Sequence, residues 1–124
     1  MLLPRGATDP FAPKVVRSAM GANFRLPVHT LSWAEIRACV KPSGKEMPLA
    51  VYLADSSGGS AYTQADFRTP VALIVGGEAA GAGAEAQALA DARIHIPMPG
   101  AAESLNAAIA AAILMFEVVR QRGR

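Results

Sequence analysis

Between Ser104 and Phe116 the chain runs for thirteen residues without a charge, up to Glu117, and no other stretch limits the fold as much. A membrane span needs roughly 20 apolar residues, so this run is read as a buried helix. Extended over Ser104–Arg122, the helix carries Leu105, Ile109, Ile113, Phe116 and Val119 on one stripe, with mostly alanine opposite. A helix that is apolar nearly all round asks for burial on two sides. A sheet against one side and a second subunit against the other would satisfy it.

The sheet has candidates upstream. Met1–Pro4 reads as the tail of an apolar strand. Asp9-Pro10 marks a turn, and Pro13 suits the first turn of a helix over Lys14–Asn23. Leu26–Val28 reads as a short strand. Thr30 or Ser32 can cap the next helix, which Lys41-Pro42 closes. Pro48–Ala54 and Pro70–Val75 are apolar runs of strand length, separated by the polar loop Asp55–Ser60. A short Ala-rich helix near Ala84–Ala92 leads to the strand Arg93–Ile96 and the loop Pro97–Glu103. Alternating strands and helices predict an α/β domain, a mostly parallel sheet flanked by helices. At 124 residues the chain suits one domain over 1–124.

Composition narrows the class. A hydrophobic fraction of 52% with 18% charged residues excludes disorder. Cys39, the lone cysteine, rules out an internal disulfide and is expected as a small buried residue in a reducing, cytoplasmic setting. No secretory signal pattern is seen at the N-terminus. His29 and His95 have no metal-ligand neighbours in sequence and are read as strand-edge or surface residues. Trp33 and the four phenylalanines are expected in the core. Residues 1–45 hold seven Lys/Arg against Asp9 and Glu35, whereas the remainder holds five basic and eight acidic residues. That split suggests a basic face for a polyanion. Arg120, Arg122 and Arg124 suit the C-terminal end of the last helix through its dipole.

Two glycine-rich segments follow strands, where backbone can approach a ligand closely and offer free amides. The first, from Val75 to Gly83, has no Gly-Lys-Ser/Thr and so is not a P-loop. Its Gly81-x-Gly83-x-x-Ala86 match to a dinucleotide fingerprint starts too far beyond the strand and lacks the closing acidic residue. The second, Ile96 to Asn106, is a rigid loop feeding a helix whose first turn bears Ser104 and Asn106, both good caps.

Taken together, "VALIVGGEAAG" and "IPMPGAAESLNAAIAAAILMFE" resemble the second and third signature motifs of the SpoU/TrmH family of RNA methyltransferases, within the SPOUT superfamily. "DPFAPKVVRSAMGANFRLPV" is similar to the segment those enzymes place ahead of the two motifs. The likeness spans Asp9 to Arg120. It implies a deep trefoil knot whose loops hold S-adenosylmethionine, and methyl transfer to a ribose 2′-hydroxyl of rRNA or tRNA by a homodimer. By position in the motifs, Gly76, Ile96 and Leu105 would give backbone contacts to the cofactor, and Val75, Gly77 and Met98 would line its pocket. Glu78, Ser104 and Asn106 match the polar positions linked to activity. Arg17, with Lys14, matches the basic segment that faces RNA.

Two departures from the family pattern are visible. Gly77 stands where the family usually has asparagine. The family's first motif, with its asparagine and arginine, has no counterpart, and the chain starts within a strand. The expectation is therefore an N-terminally truncated fold that binds cofactor without efficient turnover on its own; Arg17 is a candidate to replace the arginine, but replacement is not the expectation. The alternative is a catalytically impaired paralogue, a dimeric module that binds cofactor or RNA. The resemblance calls for neither a metal nor a membrane.

Overall fold

Leu2–Pro4 (β1) and His29–Leu31 (β2) pair in parallel, with Leu2 beside His29 and Pro4 beside Leu31. A parallel pair needs a crossover, and residues 5–28 provide it through the helix Pro13–Ser18 (α1) and a single 3-10 turn at Ala22–Phe24. The computed structural model describes residues 1–44, 47–76, 82–100 and 104–123. These divide into two compact units, Met1–Gly44 and Lys45–Arg124.

In the first unit the helix expected over Lys14–Asn23 stops at Ser18. Met20 (φ 49°) and Gly21 (φ 84°) are left-handed, a conformation that terminates an α-helix. Pairing of the second strand starts at His29, not Leu26, and just upstream the Pro27 carbonyl accepts from the Met1 amino group at 2.6 Å. Ser32, rather than Thr30, caps the helix Trp33–Val40 (α2). Its hydroxyl accepts from the Glu35 amide at 3.3 Å, and the Glu35 carboxylate accepts from the Ser32 amide at 2.7 Å, a reciprocal capping box. The Ser32 hydroxyl also donates to that carboxylate at 2.6 Å; this bond and the one from the Ser32 amide, with a weaker pull from Arg5, hold the Glu35 carboxyl below its usual pKa. Ile36 and Val40, one turn apart, are buried. That stripe leaves Cys39 outside it, and Cys39 is exposed, against expectation.

The second unit is a four-stranded parallel sheet. It contains Ala50–Ala54 (β3), Ser60–Ala61 (β4), Val71–Val75 (β5) and Ala92–His95 (β6), in the order β4-β6-β3-β5. The short β4 was not expected: it begins at Ser60, the last residue of the loop expected over Asp55–Ser60. Two residues are too few to show a strand pattern. Val51 and Leu53 are fully buried on one face, where Ala84–Leu89 (α3) packs through Ala86 and Leu89. Tyr52 and Ala54 point to the other face, into a core of Ala65, Phe67, Ile94 and Leu114. The Phe67 ring meets Tyr52 edge-on at 5.3 Å, the geometry ring quadrupoles favour.

Leu114 belongs to the last helix, Ala107–Gln121 (α4). This helix begins three residues later than expected because Asn106 takes the cap: its Oδ1 accepts from the amides of Ala108 (3.0 Å) and Ile109 (3.4 Å). Leu114 and Val118 face the sheet. The stripe picked out from sequence looks outward, with Ile109 53% and Phe116 76% exposed. Near its end α4 is stitched to the 65–69 segment. Gln121 donates to Ala65 O and accepts from Phe67 N, and Arg122 donates to Phe67 O and Thr69 O, all within 2.9 Å. Phe67 is the core phenylalanine. Phe11, Phe24 and Phe116 are half or more exposed and Trp33 is half-buried, against the expectation of five core rings.

Candidate functional site

A cavity of about 670 Å³ opens where β3, β5 and β6 end. Chain leaving a parallel sheet at its carboxyl edge has backbone groups that no neighbouring strand uses, and ligands collect there. Val75 and Gly76 arrive at the end of β5, Ile96 and Met98 follow β6, and Ser104, Leu105 and Asn106 lead into α4. All seven were singled out from the sequence, and all seven line this one cavity. Leu114, 1% exposed, forms part of its apolar wall. Asn106 combines two positions, capping α4 and facing the cavity. Gly77 and Glu78 lie outside the described residues. Lys14 and Arg17 are exposed on α1 in the first unit.

The polar rim lies outside the residues that the motifs mark. Asp55, Ser57, Gln87, Arg93 and His95 all line the cavity. His95, half-buried, is therefore more than a strand-edge residue. Asp55 Oδ1 accepts from the Ser57 amide (2.9 Å) and hydroxyl (2.6 Å), and Oδ2 accepts from Arg93 at 3.3 Å. The Ser57 bonds and, more weakly, the Arg93 charge hold the Asp55 carboxyl below its usual pKa, so it stays ionised near neutrality. A signal existed: Asp55-Ser-Ser directly follows an apolar strand, as the glycine segments do.

A second groove, of about 480 Å³, lies on the outward side of α4 among Tyr62, Ile109, Ile113 and Phe116. Glu117 at its edge is 6% exposed and pairs with Arg120 through two 2.7 Å bonds, while Gln121 donates at 2.9 Å. These bonds pull the Glu117 carboxyl down to about 2. Among the described residues no three His, Cys, Asp or Glu side chains gather as a metal site, and no helix is long and apolar enough to cross a membrane.

Fold and cavity together define a parallel α/β fold with a cavity at its strand ends. Residues 1–116 match the SpoU rRNA Methylase family, and the chain belongs to that family. It is 37% identical over 123 residues to a 23S rRNA (uridine(2479)-2′-O)-methyltransferase of Streptomyces viridochromogenes, covering 94% of this chain and 41% of the relative. To the Bacillus subtilis 23S rRNA (guanosine(2553)-2′-O)-methyltransferase RlmP it is 35% identical, covering 95% of this chain and 46% of that one. The fold superposes with a TM-score of 0.88 on the SpoU methyltransferase AviRb from Streptomyces viridochromogenes in complex with AdoMet, at 35% identity over 98% of this chain and 46% of that chain. An AdoMet-bound rRNA methyltransferase from Sinorhizobium meliloti gives 0.85 at 34% identity, over 96% of this chain and 44% of that chain. The chain thus spans less than half the length of these relatives.

Proposed function

We propose that this chain is the cofactor-binding part of an RNA ribose 2′-O-methyltransferase that draws its methyl group from S-adenosylmethionine. One observation carries the reading: in a member of this family, the segments after β5 and β6 and the start of α4 converge on a single cavity. The residues present fit the cofactor. The volume lies within the ~300–1,000 Å³ of small-molecule pockets. Apolar groups such as Val75, Ile96, Met98 and Leu114 suit the purine, and the rim of Asp55, Ser57 and Arg93 suits its polar arm.

When bound, S-adenosylmethionine supplies a methyl group activated on a sulfonium. The chain's own part is to hold and orient. We assign main-chain contacts to Gly76, Ile96 and Leu105, and the pocket lining to Val75, Gly77 and Met98. Packing against Leu114 keeps water from that side. A ribose 2′-hydroxyl is a poor nucleophile near neutral pH, and needs a partner for its proton and a fixed line of approach. Glu78, Ser104 and Asn106 are assigned to organise that approach, and Arg17 to orient the hydroxyl. Lys14 and Arg17 are assigned to RNA phosphates, in keeping with the basic excess of the first 45 residues.

Both units belong, on this reading, to one trefoil-knotted SpoU-type domain, because the family match runs through both. The outward apolar face of α4 suits a second copy, giving a homodimer that acts on rRNA or tRNA in the cytoplasm. Titration calorimetry with S-adenosylhomocysteine tests the binding half, with saturation expected; no heat at millimolar ligand contradicts it. A tritiated-methyl assay on RNA tests the chemistry. Label recovered in 2′-O-methylribose supports the reading, and label recovered in a base contradicts it.

A further inference from the structure

We infer that Arg93 is a positioning residue that clasps two walls of the cavity together and thereby sets its affinity for the methyl donor; this rests on the cofactor-binding reading above. Two segments, one 38 and one six residues upstream, meet at its guanidinium. Nη1 donates to Asp55 Oδ2 at 3.3 Å, in the loop after β3, and Nη2 donates to Gln87 Oε1 at 3.2 Å, on α3. Gln87 donates in turn from Nε2 to Ala82 O at 2.9 Å. Asp55 is anchored on its other side, its amide donating to Ile94 O at 3.0 Å and its Oδ1 accepting from Ser57. A line of polar contacts therefore runs Ser57–Asp55–Arg93–Gln87–Ala82, and every residue on it lines the cavity.

The strand beneath holds the clasp still. Arg93 sits beside Leu53 in the ladder of β6 with β3. Its main chain packs so closely on Gly59 that a Cβ there would overlap the Arg93 carbonyl. Its side chain is 48% exposed and that of Asp55 24%, and ion pairs so placed add little to overall stability. Geometry is what the pair provides. A planar guanidinium offers fixed donors to two acceptors at once, which the single ammonium of lysine cannot match. Ala82 lies seven residues beyond the last residue of β5, so the clasp also restrains the chain where it returns from the first glycine-rich segment to α3.

The test compares the 124-residue chain with Arg93→Ala, Arg93→Lys and Gln87→Ala. Amide hydrogen exchange without ligand is read at 55–59 and 82–87, and affinity for S-adenosylhomocysteine is read by calorimetry. Arg93→Ala is expected to speed exchange in both segments and weaken binding about tenfold, with the melting temperature nearly unchanged. Arg93→Lys is expected to rescue neither fully, and Gln87→Ala to loosen 82–87 alone. Wild-type exchange in Arg93→Ala overturns the clasp. Faster exchange with wild-type affinity overturns its link to binding. If Arg93→Ala does not fold, Gln87→Ala reads the same clasp from its other end. Failure of the wild-type chain to bind S-adenosylhomocysteine overturns the cofactor reading, and with it the affinity claim, while exchange still decides the clasp.

Discussion

Gly59 is the position where a single methyl group should do most damage for its size. Its φ is 82°, and a Cβ there would overlap the Arg93 carbonyl and stand 2.9 Å from the Arg93 Cβ. Left-handed backbone costs a non-glycine residue ~1–2 kcal/mol, and forced overpacking adds ~1–3 kcal/mol. Gly59→Ala should therefore lose about 2–5 kcal/mol, a fall in melting temperature of roughly 8–20 °C for a chain this long. Gly58 is the built-in control, because a Cβ there meets only the Arg93 Cδ, at 3.9 Å. Gly58→Ala should stay within about 1 kcal/mol of wild type. Thermal unfolding followed by circular dichroism reads both variants. If they melt within about four degrees (~1 kcal/mol) of each other, the close packing of this loop on β6 is refuted.

Asn106→Ala removes the cap of α4 and should cost about 1 kcal/mol in urea unfolding, with Asn106→Asp recovering most of it. Glu117 has a lowered pKa, so its stabilising contribution is complete above its unfolded value of 4.5 and is lost as pH falls toward about 2. Glu117→Gln should flatten that acid limb in a pH series of urea midpoints, and an unchanged limb would contradict the assignment. Phe116→Glu, at a side chain 76% exposed, should leave the circular dichroism spectrum intact while converting the proposed dimer to monomer in sedimentation velocity. A dimer that survives the change would move the interface off α4.

The strands β3 and β5 were legible because they are apolar runs of strand length closed by a polar and a glycine-rich loop, the pattern of buried parallel strands, and β6 was legible from its place between the Ala-rich helix and the Pro97–Glu103 loop. The last helix was legible for the same reason, since thirteen uncharged residues leave few alternatives. Its orientation was not. Large apolar side chains stand on both faces, so hydrophobicity alone does not choose between the Leu114–Val118 side and the Ile109–Phe116 side. In the first unit Met20 and Gly21 break a pattern that propensity alone would continue, and Phe11 and Phe24 lie on the surface with their rings 6.2 Å apart. Periodicity has no access to either fact. The Asp55–Arg93–Gln87 contacts join residues as much as 38 apart in sequence and exist only once β6 lies beside β3.

The central claim is that backbone from two bends and a helix start encloses one ligand. Amide chemical shifts of the ¹⁵N-labelled chain, titrated with S-adenosylhomocysteine, test it most directly. The account predicts saturable shifts at Gly76, Ile96, Met98 and Leu105 along one binding curve, with Ile36 and Val40 of α2 unmoved. Shifts confined to the first unit, or none at these four amides under saturating ligand, would contradict it.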